Sequence, residues 1–271
     1  MSELVKLAVL GDPLRHTRSP DLHRAGCAAL GLECEAHALR TSPAELEATL
    51  RRLADEGFLG CNLTIPLKEH ALDCVARASL AAEQARSVNT IAFQPDGWFG
   101  ETTDGQGFLD LLKSQHYEPA RQRVLLLGAG GAARSVALAL QWAGCKEVHI
   151  SSRNSRQGPF HWGGPDEKFL GWRSREEDVE LKNATVVVNC TPLTGEGEAP
   201  AALEKLSRTA LVIDLTYGPE LNPWVRQARA LGIHALDGLG LLVFQARRSL
   251  SLWLGQEVPL EPLERAVGWP R

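Results

Sequence analysis

A lysine and an aspartate are the residues of this sequence whose types best suit acid–base chemistry. Lys68 closes the apolar run "NLTIPLK" (62–68), and Asp104 lies in "TTDGQG" (102–107). Asn62 and Thr64 lie at the end of one predicted strand, directly before Lys68, and Asp104 follows a predicted hairpin, so neighbouring loops could bring the two charges together. Each also has an ordinary structural interpretation, because lysine often ends a strand in solvent and aspartate often caps a helix. The residues alone leave both interpretations open.

Two hydroxyl groups come near the start of a predicted helix. Thr17 and Ser19 lie in "GDPLRHTRSPDLH" (11–23), directly after the first predicted strand. Open parallel sheets bind ligands at this end of their strands. Ser19 is followed by Pro20, however, which is also the pattern of a helix N-cap with proline at the first helical position. Ligand binding and capping are equally supported by these residues.

A glycine-rich turn predicts a dinucleotide cofactor. The sequence "GAGGAA" follows the strand pattern "RVLLL" and precedes a helical pattern. Gly128 suits the tight turn, Gly130 lets the backbone approach a pyrophosphate, and Ala133 allows close helix packing. The N–H groups of the helix start would bind the anion. The predicted cofactor turn consists of Gly128, Ala129, Gly130, Gly131, Ala132 and Ala133.

The end of the next strand indicates which cofactor binds. Folds specific for NAD tend to have an acidic residue there, whereas this chain has Ser152, Arg153 and, slightly later, Arg156. Arginines suit a 2′-phosphate through charge-assisted hydrogen bonds, so NADP is predicted. The alternative is a solvated basic loop without a ligand.

Two series of alternating strand and helix patterns predict an α/β fold. The first series is expected to form βαβ units on a parallel sheet, followed by a hairpin around Pro95 to Gly97. In the second series, the stretch 153–174 contains two prolines and several glycines, so a loop is predicted there instead of a crossover helix. Predicted strands are 6–11, 34–40, 59–65, 123–127, 147–153, 185–192, 210–217 and 233–239; predicted helices are 19–31, 42–57, 66–75, 107–115, 238–255 and 260–269.

Composition narrows the function classes. The 271 residues are 44% hydrophobic and carry a net charge of −4 without a basic block, so a small-molecule ligand is expected and nucleic acid is not. The six cysteines are scattered without ligand spacing, which predicts a reducing, cytoplasmic setting. His16 and His23 lack carboxylate or cysteine side chains at ligand spacing, so no metal is predicted. The N-terminus lacks a signal-peptide pattern, and glycines with Arg134 interrupt the longest apolar stretch, so no membrane segment is expected.

Seven motifs in order along the chain resemble those of the shikimate dehydrogenase family. The segment 11–23 is similar to G-x-P-x-x-H-S-x-S-P-x-x-H, "NLTIPLK" to N-V-T-x-P-x-K, and "SVNT" to A-V-N-T. "TTDGQG" resembles N-T-D-G-x-G, and "GAGGAA" is similar to the family's cofactor turn. "IDLTYGPELNPW" resembles D-x-x-Y-x-P-x-x-T, and "GLGLLVFQA" resembles G-x-x-M-L-x-x-Q-A. Together they span almost the whole chain.

The resemblance implies an NADP-dependent enzyme that reversibly reduces 3-dehydroshikimate to shikimate, acting as a monomer or homodimer. Lys68 and Asp104 match the catalytic pair. The implied substrate-binding residues are Thr17, Ser19, Thr64, Asn89, Tyr217 and Gln245, and Thr191 and Gly238 join the cofactor-binding residues. The implied fold has a substrate-binding α/β domain at 1–103, completed by C-terminal helices at 240–271. It faces a Rossmann-type domain at 104–239 across a cleft.

Some positions depart from the family motifs. Thr17 replaces a serine in the predicted substrate shell, Thr102 an asparagine, and Leu241 a methionine near the nicotinamide. These changes leave two alternatives: a relative acting on quinate or another cyclic hydroxy-carboxylate, and a weakly catalytic NADP-binding regulatory protein. The presence of both Lys68 and Asp104 argues against the second alternative, since a protein without catalysis needs neither.

Overall fold

The computed structural model describes residues 4–14, 16–145, 147–153 and 167–271. The chain divides into two compact units. One unit comprises Met1–Phe108 with Leu242–Arg271, and the other comprises Leu109–Leu241. Within the described ranges, no helix has the length and apolar character needed to cross a membrane.

Strands and helices alternate along most of the chain, as the sequence predicts. The strands are β1 (Val5–Gly11), β2 (Cys34–Arg40), β3 (Gly60–Leu63), β4 (Arg77–Ala78), β5 (Thr90–Ala92), β6 (Phe99–Glu101), β7 (Arg123–Leu127), β8 (Glu147–Ser152), β9 (Glu167–Gly171), β10 (Val186–Asn189), β11 (Leu211–Asp214) and β12 (His234–Leu236). The α-helices are α1 (Ser19–Ala29), α2 (Leu46–Asp55), α3 (Leu80–Ala85), α4 (Asp104–Ser114), α5 (Gly131–Trp142), α6 (Arg175–Asn183), α7 (Pro223–Ala230), α8 (Leu239–Leu254) and α9 (Leu260–Val267).

The sheet of the first unit is mixed, with the strand order β2-β1-β3-β5-β6-β4. Strand β1 pairs in parallel with β2 and β3, which agrees with the predicted βαβ units. The hairpin β5–β6 is antiparallel, and β5 also pairs antiparallel with β3. The predicted hairpin is therefore confirmed, and it makes this sheet mixed, because the short turn at 94–97 returns the chain directly beside β5.

The C-terminal helices return to this first unit. The side chain of Arg18, just before α1, donates a hydrogen bond to the carbonyl of Ala266 in α9 at 2.8 Å. Gly26 lets α1 approach α8 closely, because a Cβ there would lie 2.5 Å from Leu250. The predicted return of the C-terminal helices is confirmed.

The sheet of the second unit is parallel, with the order β12-β11-β10-β7-β8-β9. Counted from β7, this is the order 3-2-1-4-5-6 of a Rossmann-type fold. Its core includes Leu125, Val187 and Val212 on three neighbouring strands, and Trp224 of α7 packs there with no exposed surface. Ligands of such sheets bind where the strand order reverses, which here is the carboxyl edge shared by β7 and β10.

Two predictions of secondary structure are wrong. Residues 66–75 form a turn and a 3₁₀ helix (His70–Cys74) instead of an α-helix. The Lys68 carbonyl accepts the N–H of Val88 at 2.8 Å, so it does not continue a helical ladder. The stretch 153–174, predicted as a loop, contains β9, which pairs with the edge strand β8 through main-chain hydrogen bonds.

Helix α6 was missed by the sequence analysis. Its start carries the Ser-x-x-Glu pattern of an N-terminal cap, and Ser174 accepts the N–H of Glu177 at 3.1 Å. That signal could have located the helix.

Candidate active site

The structure brings Lys68 and Asp104 into direct contact. Lys68 Nζ donates to Asp104 Oδ2 at 2.5 Å, and the two side chains are only 16% and 6% exposed. A hydrogen bond between ionised groups is short and strong when water is largely excluded. The pair is therefore an oriented proton donor and acceptor rather than a solvated strand end.

Strand-end geometry fixes the lysine. Thr64 N donates to the carbonyl of Leu10 at 2.9 Å, and Leu67 N donates back to the carbonyl of Thr64 at 2.8 Å. The fully buried side chain of Leu67 anchors this turn. With the Lys68 carbonyl held by Val88, the backbone on either side of Lys68 is tied to the sheet, so the ammonium projects from a rigid support.

Asn89 orients the aspartate. Its Nδ2 donates to Asp104 Oδ1 at 2.8 Å, while its Oδ1 accepts the backbone N–H of Thr103 at 2.8 Å. Asp104 is the first residue of α4. Both of its carboxylate oxygens bind side chains, so a helix cap alone does not account for this residue.

Other predicted substrate-binding residues lie in the same unit. Gln245, on α8, places Oε1 3.4 Å from Asn89 Nδ2 and donates through Nε2 to the carbonyl of Leu242. Thr64 is half-buried directly after β3. Gly11 makes room for Thr64, since a Cβ on that glycine would lie 2.4 Å from the threonine methyl group.

Ser19 begins α1 rather than capping it. The N-cap position is occupied by Arg18, which makes no side-chain cap, and Thr17 Oγ1 accepts the backbone N–H of Ser19 at 3.4 Å. Ser19 is 5% exposed. The capping interpretation of Ser19 is therefore wrong, because the helix starts one residue earlier than that pattern requires.

Several polar residues of this site were not predicted. They are buried hydroxyl, amide and imidazole groups within or beside the quoted motifs, and the sequence pattern does not show which of them contact one another. They are Asn62 of β3, Thr90 of β5, Thr103 before α4, Ser249 of α8 and His23 of α1.

The predicted cofactor turn has the required local geometry in the second unit. Gly128, directly after β7, has φ of +108° and donates its N–H to the carbonyl of Ser151 at 2.7 Å. Gly130 is the N-cap of α5, and a Cβ added there would meet no heavy atom within 4 Å in the part of the chain that the structure describes. The space above this glycine and the helix start beyond it fit a phosphate group.

The loop after β10 borders this turn. A Cβ on Gly128 would lie 3.0 Å from the methyl group of Thr191. Thr191 is held by Asn189, whose Oδ1 accepts the threonine hydroxyl at 2.6 Å. Asn189 in turn donates to Asp214 Oδ2 at 3.0 Å. Burial raises the pKa of Asp214 to about 6, against the hydrogen bonds that favour its charged form.

The remaining cofactor-binding candidates occupy different settings. Ser152 ends β8 and is partly buried, whereas Arg153 is exposed. Arg156 lies outside the described residues. Gly238 is required by close packing, because a Cβ there would come within 2.3 Å of the carbonyl oxygen of Leu215. Tyr217 is half-buried in the loop that follows β11.

Among the residues that the structure describes, no group of three or more His, Cys, Asp or Glu side chains is arranged to hold a metal ion. The six cysteines are free thiols.

Comparison with known proteins identifies the family. Residues 9–91 match the shikimate dehydrogenase substrate binding domain. The shikimate dehydrogenase (NADP(+)) of Dinoroseobacter shibae is 36% identical over 96% of this chain and 95% of its own length.

Solved structures agree with this family assignment. The shikimate 5-dehydrogenase of Thermus thermophilus, in complex with NADP(H) and shikimate, is 31% identical with a TM-score of 0.86, covering 97% of this chain and 98% of that one. The 5-ketofructose reductase of Gluconobacter sp. strain CHM43, in a ligand-free form, is 25% identical with a TM-score of 0.82, covering 98% of both chains. The chain described here, with its seven motifs, its Rossmann-ordered sheet and its buried lysine–aspartate pair, belongs to the shikimate dehydrogenase family.

Proposed function

We propose that this protein catalyses the reversible, NADP-dependent reduction of 3-dehydroshikimate to shikimate, with Lys68 and Asp104 as its acid–base pair. The observation that carries this role for the pair is the 2.5 Å contact between Lys68 Nζ and Asp104 Oδ2 at a largely buried site. A proton donor and its orienting carboxylate are in place before any substrate arrives.

Lys68 supplies the proton in the reducing direction. An ammonium has three N–H donors, and one is directed to Asp104, so two remain for the reacting oxygen. NADPH, when bound, supplies the hydride that adds to the carbonyl carbon. Lys68 protonates the oxygen as the C=O double bond becomes C–OH, and the reverse transfer removes the hydroxyl proton during oxidation.

Five residues of the first unit are proposed to hold the substrate. The hydroxyls of Thr17 and Ser19 are assigned to the ring carboxylate, and their proximity at the start of α1 supports this. Thr64, Asn89 and Gln245 are assigned to the rest of the substrate. Support comes from their position beside Lys68 and Asp104. Tyr217 of the second unit is assigned to the same role from the family motif.

The second unit is proposed to bind NADP. Backbone N–H groups of the turn 128–133 would hold the pyrophosphate, with Thr191 and Gly238 on neighbouring loops. Ser152, Arg153 and Arg156 would hold the 2′-phosphate. The open space at Gly130 supports the first assignment, and the exposed guanidinium of Arg153 supports the second.

The same proposal covers the setting of the enzyme. We infer that it acts in the cytoplasm as a monomer or homodimer, which the six free thiols and the absence of a basic block favour. Light scattering of the purified protein tests the oligomeric state.

A second candidate is oxidation of quinate or another cyclic hydroxy-carboxylate. The observation that favours it is Thr17, which has a methyl group that the serine of the family motif lacks. Steady-state assays with shikimate and with quinate, each with NADP and with NAD, separate the candidates. The proposal expects the highest kcat/KM with shikimate and NADP; a higher value with quinate would favour the alternative, and no turnover with either would contradict both.

A further inference from the structure

His23 is a fully buried histidine whose role is not accounted for by substrate or cofactor binding. Its Nε2 lies 2.9 Å from Asn62 Oδ1, and its Nδ1 is buried without a hydrogen-bond partner among the described residues. Burial lowers its pKa to about 4, so the ring is neutral at physiological pH. A neutral ring with an unpartnered Nδ1 carries its proton on Nε2 and donates it to Asn62.

From Asn62, hydrogen bonds lead in one direction to the catalytic pair. Asn62 Nδ2 donates to Thr90 Oγ1 at 3.0 Å, and Thr90 Oγ1 donates to Asn89 Oδ1 at 2.9 Å. Asn89 Nδ2 then donates to Asp104 Oδ1 at 2.8 Å. We call His23, Asn62, Thr90 and Asn89 the donor chain, because each of them donates towards Asp104.

The direction of the donor chain depends on which way the Asn62 amide faces. His23 requires an acceptor, and the backbone carbonyl of Asn89 requires a donor and accepts from Asn62 Nδ2 at 3.1 Å. Together they fix Oδ1 of Asn62 on the side of His23 and Nδ2 on the side of Thr90. With the amide reversed, the Thr90 hydroxyl would face an acceptor and turn its proton away from Asn89. Asn89 would then lose one of the three contacts that hold its Oδ1 in place and so keep its Nδ2 directed to Asp104.

Ser249 supports the same arrangement from α8. Its Oγ lies 3.0 Å from Asn62 Nδ2 and 2.8 Å from Thr90 Oγ1. Because the Thr90 proton points to Asn89, the single proton of the Ser249 hydroxyl is donated to Thr90 Oγ1 rather than to the more distant carbonyl of Gln245, which lies 3.1 Å away. Polar groups in a buried network are costly to leave unpaired, so these bonds keep Thr90 in one rotamer.

We propose that His23, Asn62 and Thr90 are positioning residues, which hold the Asp104 carboxylate as an acceptor facing Lys68 by setting the direction of the donor chain. This inference rests on the proposed role of Lys68 and Asp104. It predicts that breaking the chain at Thr90 slows proton transfer with little effect on substrate affinity.

Two substitutions at Thr90 separate the hydroxyl from the methyl group. Thr90→Val keeps the shape and removes the donor, and it should lower kcat for shikimate oxidation about tenfold while changing KM for shikimate less than about twofold. Thr90→Ser keeps the donor and should retain kcat within about threefold. Thr41→Val is the matched control, because Thr41 is buried in the same unit but bonds only its local carbonyl at Leu39. It should leave kcat unchanged.

The outcomes are distinct. Equal kcat values for Thr90→Val and Thr90→Ser would overturn the inference, and so would a loss confined to KM. An inactive wild-type protein would instead contradict the proposed function.

His23 provides a second test if Thr90→Val does not fold. His23→Gln keeps an N–H donor and His23→Met does not, so the Met variant should have a kcat about threefold lower than the Gln variant. Equal values for this pair would also overturn the inference.

Discussion

The acid–base site and the cofactor turn are built from different parts of the polypeptide. In the first unit, side chains from β3, β5, α4 and α8 bond one another, and the donors of Asn89 and Lys68 occupy both oxygens of Asp104. In the second unit, the backbone forms the turn, and no heavy atom of the described residues lies within 4 Å of a Cβ placed on Gly130. One site is filled with fixed partners, and the other leaves space beside the backbone N–H groups of a helix start.

The difference follows from the chemistry each site must perform. Proton transfer needs charged groups held in fixed directions with little water, and only surrounding side chains can fix them. Phosphate binding needs several N–H donors and room for oxygen atoms, which a glycine turn and a helix start supply without side chains. Substitutions in the first unit should therefore act by changing the orientation of the acid–base groups. Substitutions at the turn of the second unit should act by filling the space for a phosphate.

The largest effect is expected from removing the lysine. Lys68→Ala should lower kcat by about 10² to 10⁴, the usual contribution of an acid–base group, with little change in shikimate affinity. Steady-state kinetics measures both. Lys205→Ala is the matched control, because Lys205 forms a lysine–aspartate contact of the same 2.5 Å length with Asp178, although that pair is more exposed. It should leave kcat unchanged.

Asp104→Asn extends this test. If the pair acts as a unit, the double variant with Lys68→Ala should lose less than the product of the two single losses. Multiplicative losses would contradict a joint role. Melting temperatures of all variants must be compared first, since Asp104 also begins α4.

A smaller effect is expected from filling the open space at the cofactor turn. Gly130 has φ of −78°, which any residue can adopt, so Gly130→Val should fold normally. Its side chain would occupy the space proposed for a phosphate, and KM for NADP should rise at least about tenfold. KM for shikimate and the melting temperature should stay near the wild-type values.

Gly130→Ala gives a graded control for this prediction. One methyl group should raise KM for NADP less than the valine does. Should both variants bind NADP as well as the wild type, the phosphates lie elsewhere and the assignment of this turn is wrong.

Next in size is the preference for NADP over NAD. Arg153→Ala should raise KM for NADP about tenfold more than KM for NAD, because one charge-assisted contact to the 2′-phosphate is lost. Arg121→Ala, another exposed arginine of the second unit, should change neither value. A wild-type protein that uses both cofactors equally well would show that the basic loop is only solvated.

The fold was largely predictable because its signals are local. Strand and helix patterns located β1 to β3 and five of the six strands of the Rossmann-ordered sheet, and the glycine turn was found from its position between β7 and α5. The errors lie where contacts between residues far apart in the sequence determine the secondary structure. The bond from Val88 to the Lys68 carbonyl prevents a helix at 66–75, and pairing with β8 makes a strand of 167–171.

The candidate site was predictable only in its charged and motif residues. Lys68 and Asp104 stand out because a lysine and an aspartate rarely lie buried without a partner. Thr90, Ser249 and Asn62 do not stand out, since their roles depend on distances between positions up to 187 residues apart. A sequence read locally carries no information about which buried hydroxyl meets which amide.

The smallest effect concerns pH, and it has opposite signs in the two units. His23 in the first unit has its pKa lowered from 6.5 to about 4, so its contribution to stability is complete above pH 6.5 and is lost as the pH falls through 4. Asp214 in the second unit has its pKa raised from 3.8 to about 6, so its contribution is complete below pH 3.8 and is lost as the pH rises through 6.

Substituting either residue should remove the part of the pH dependence of stability that this residue contributes. Between pH 6 and pH 5 the contribution of His23 falls by about 1 kcal/mol, because the unfolded chain binds a proton that the buried ring refuses. The free energy of unfolding of His23→Gln, relative to wild type, should therefore rise by about 1 kcal/mol over this interval in urea titrations. Asp214→Asn should show a relative change of opposite sign. A constant difference between His23→Gln and wild type would mean that His23 takes up a proton as readily in the folded protein as in the unfolded chain, which contradicts a neutral ring donating to Asn62.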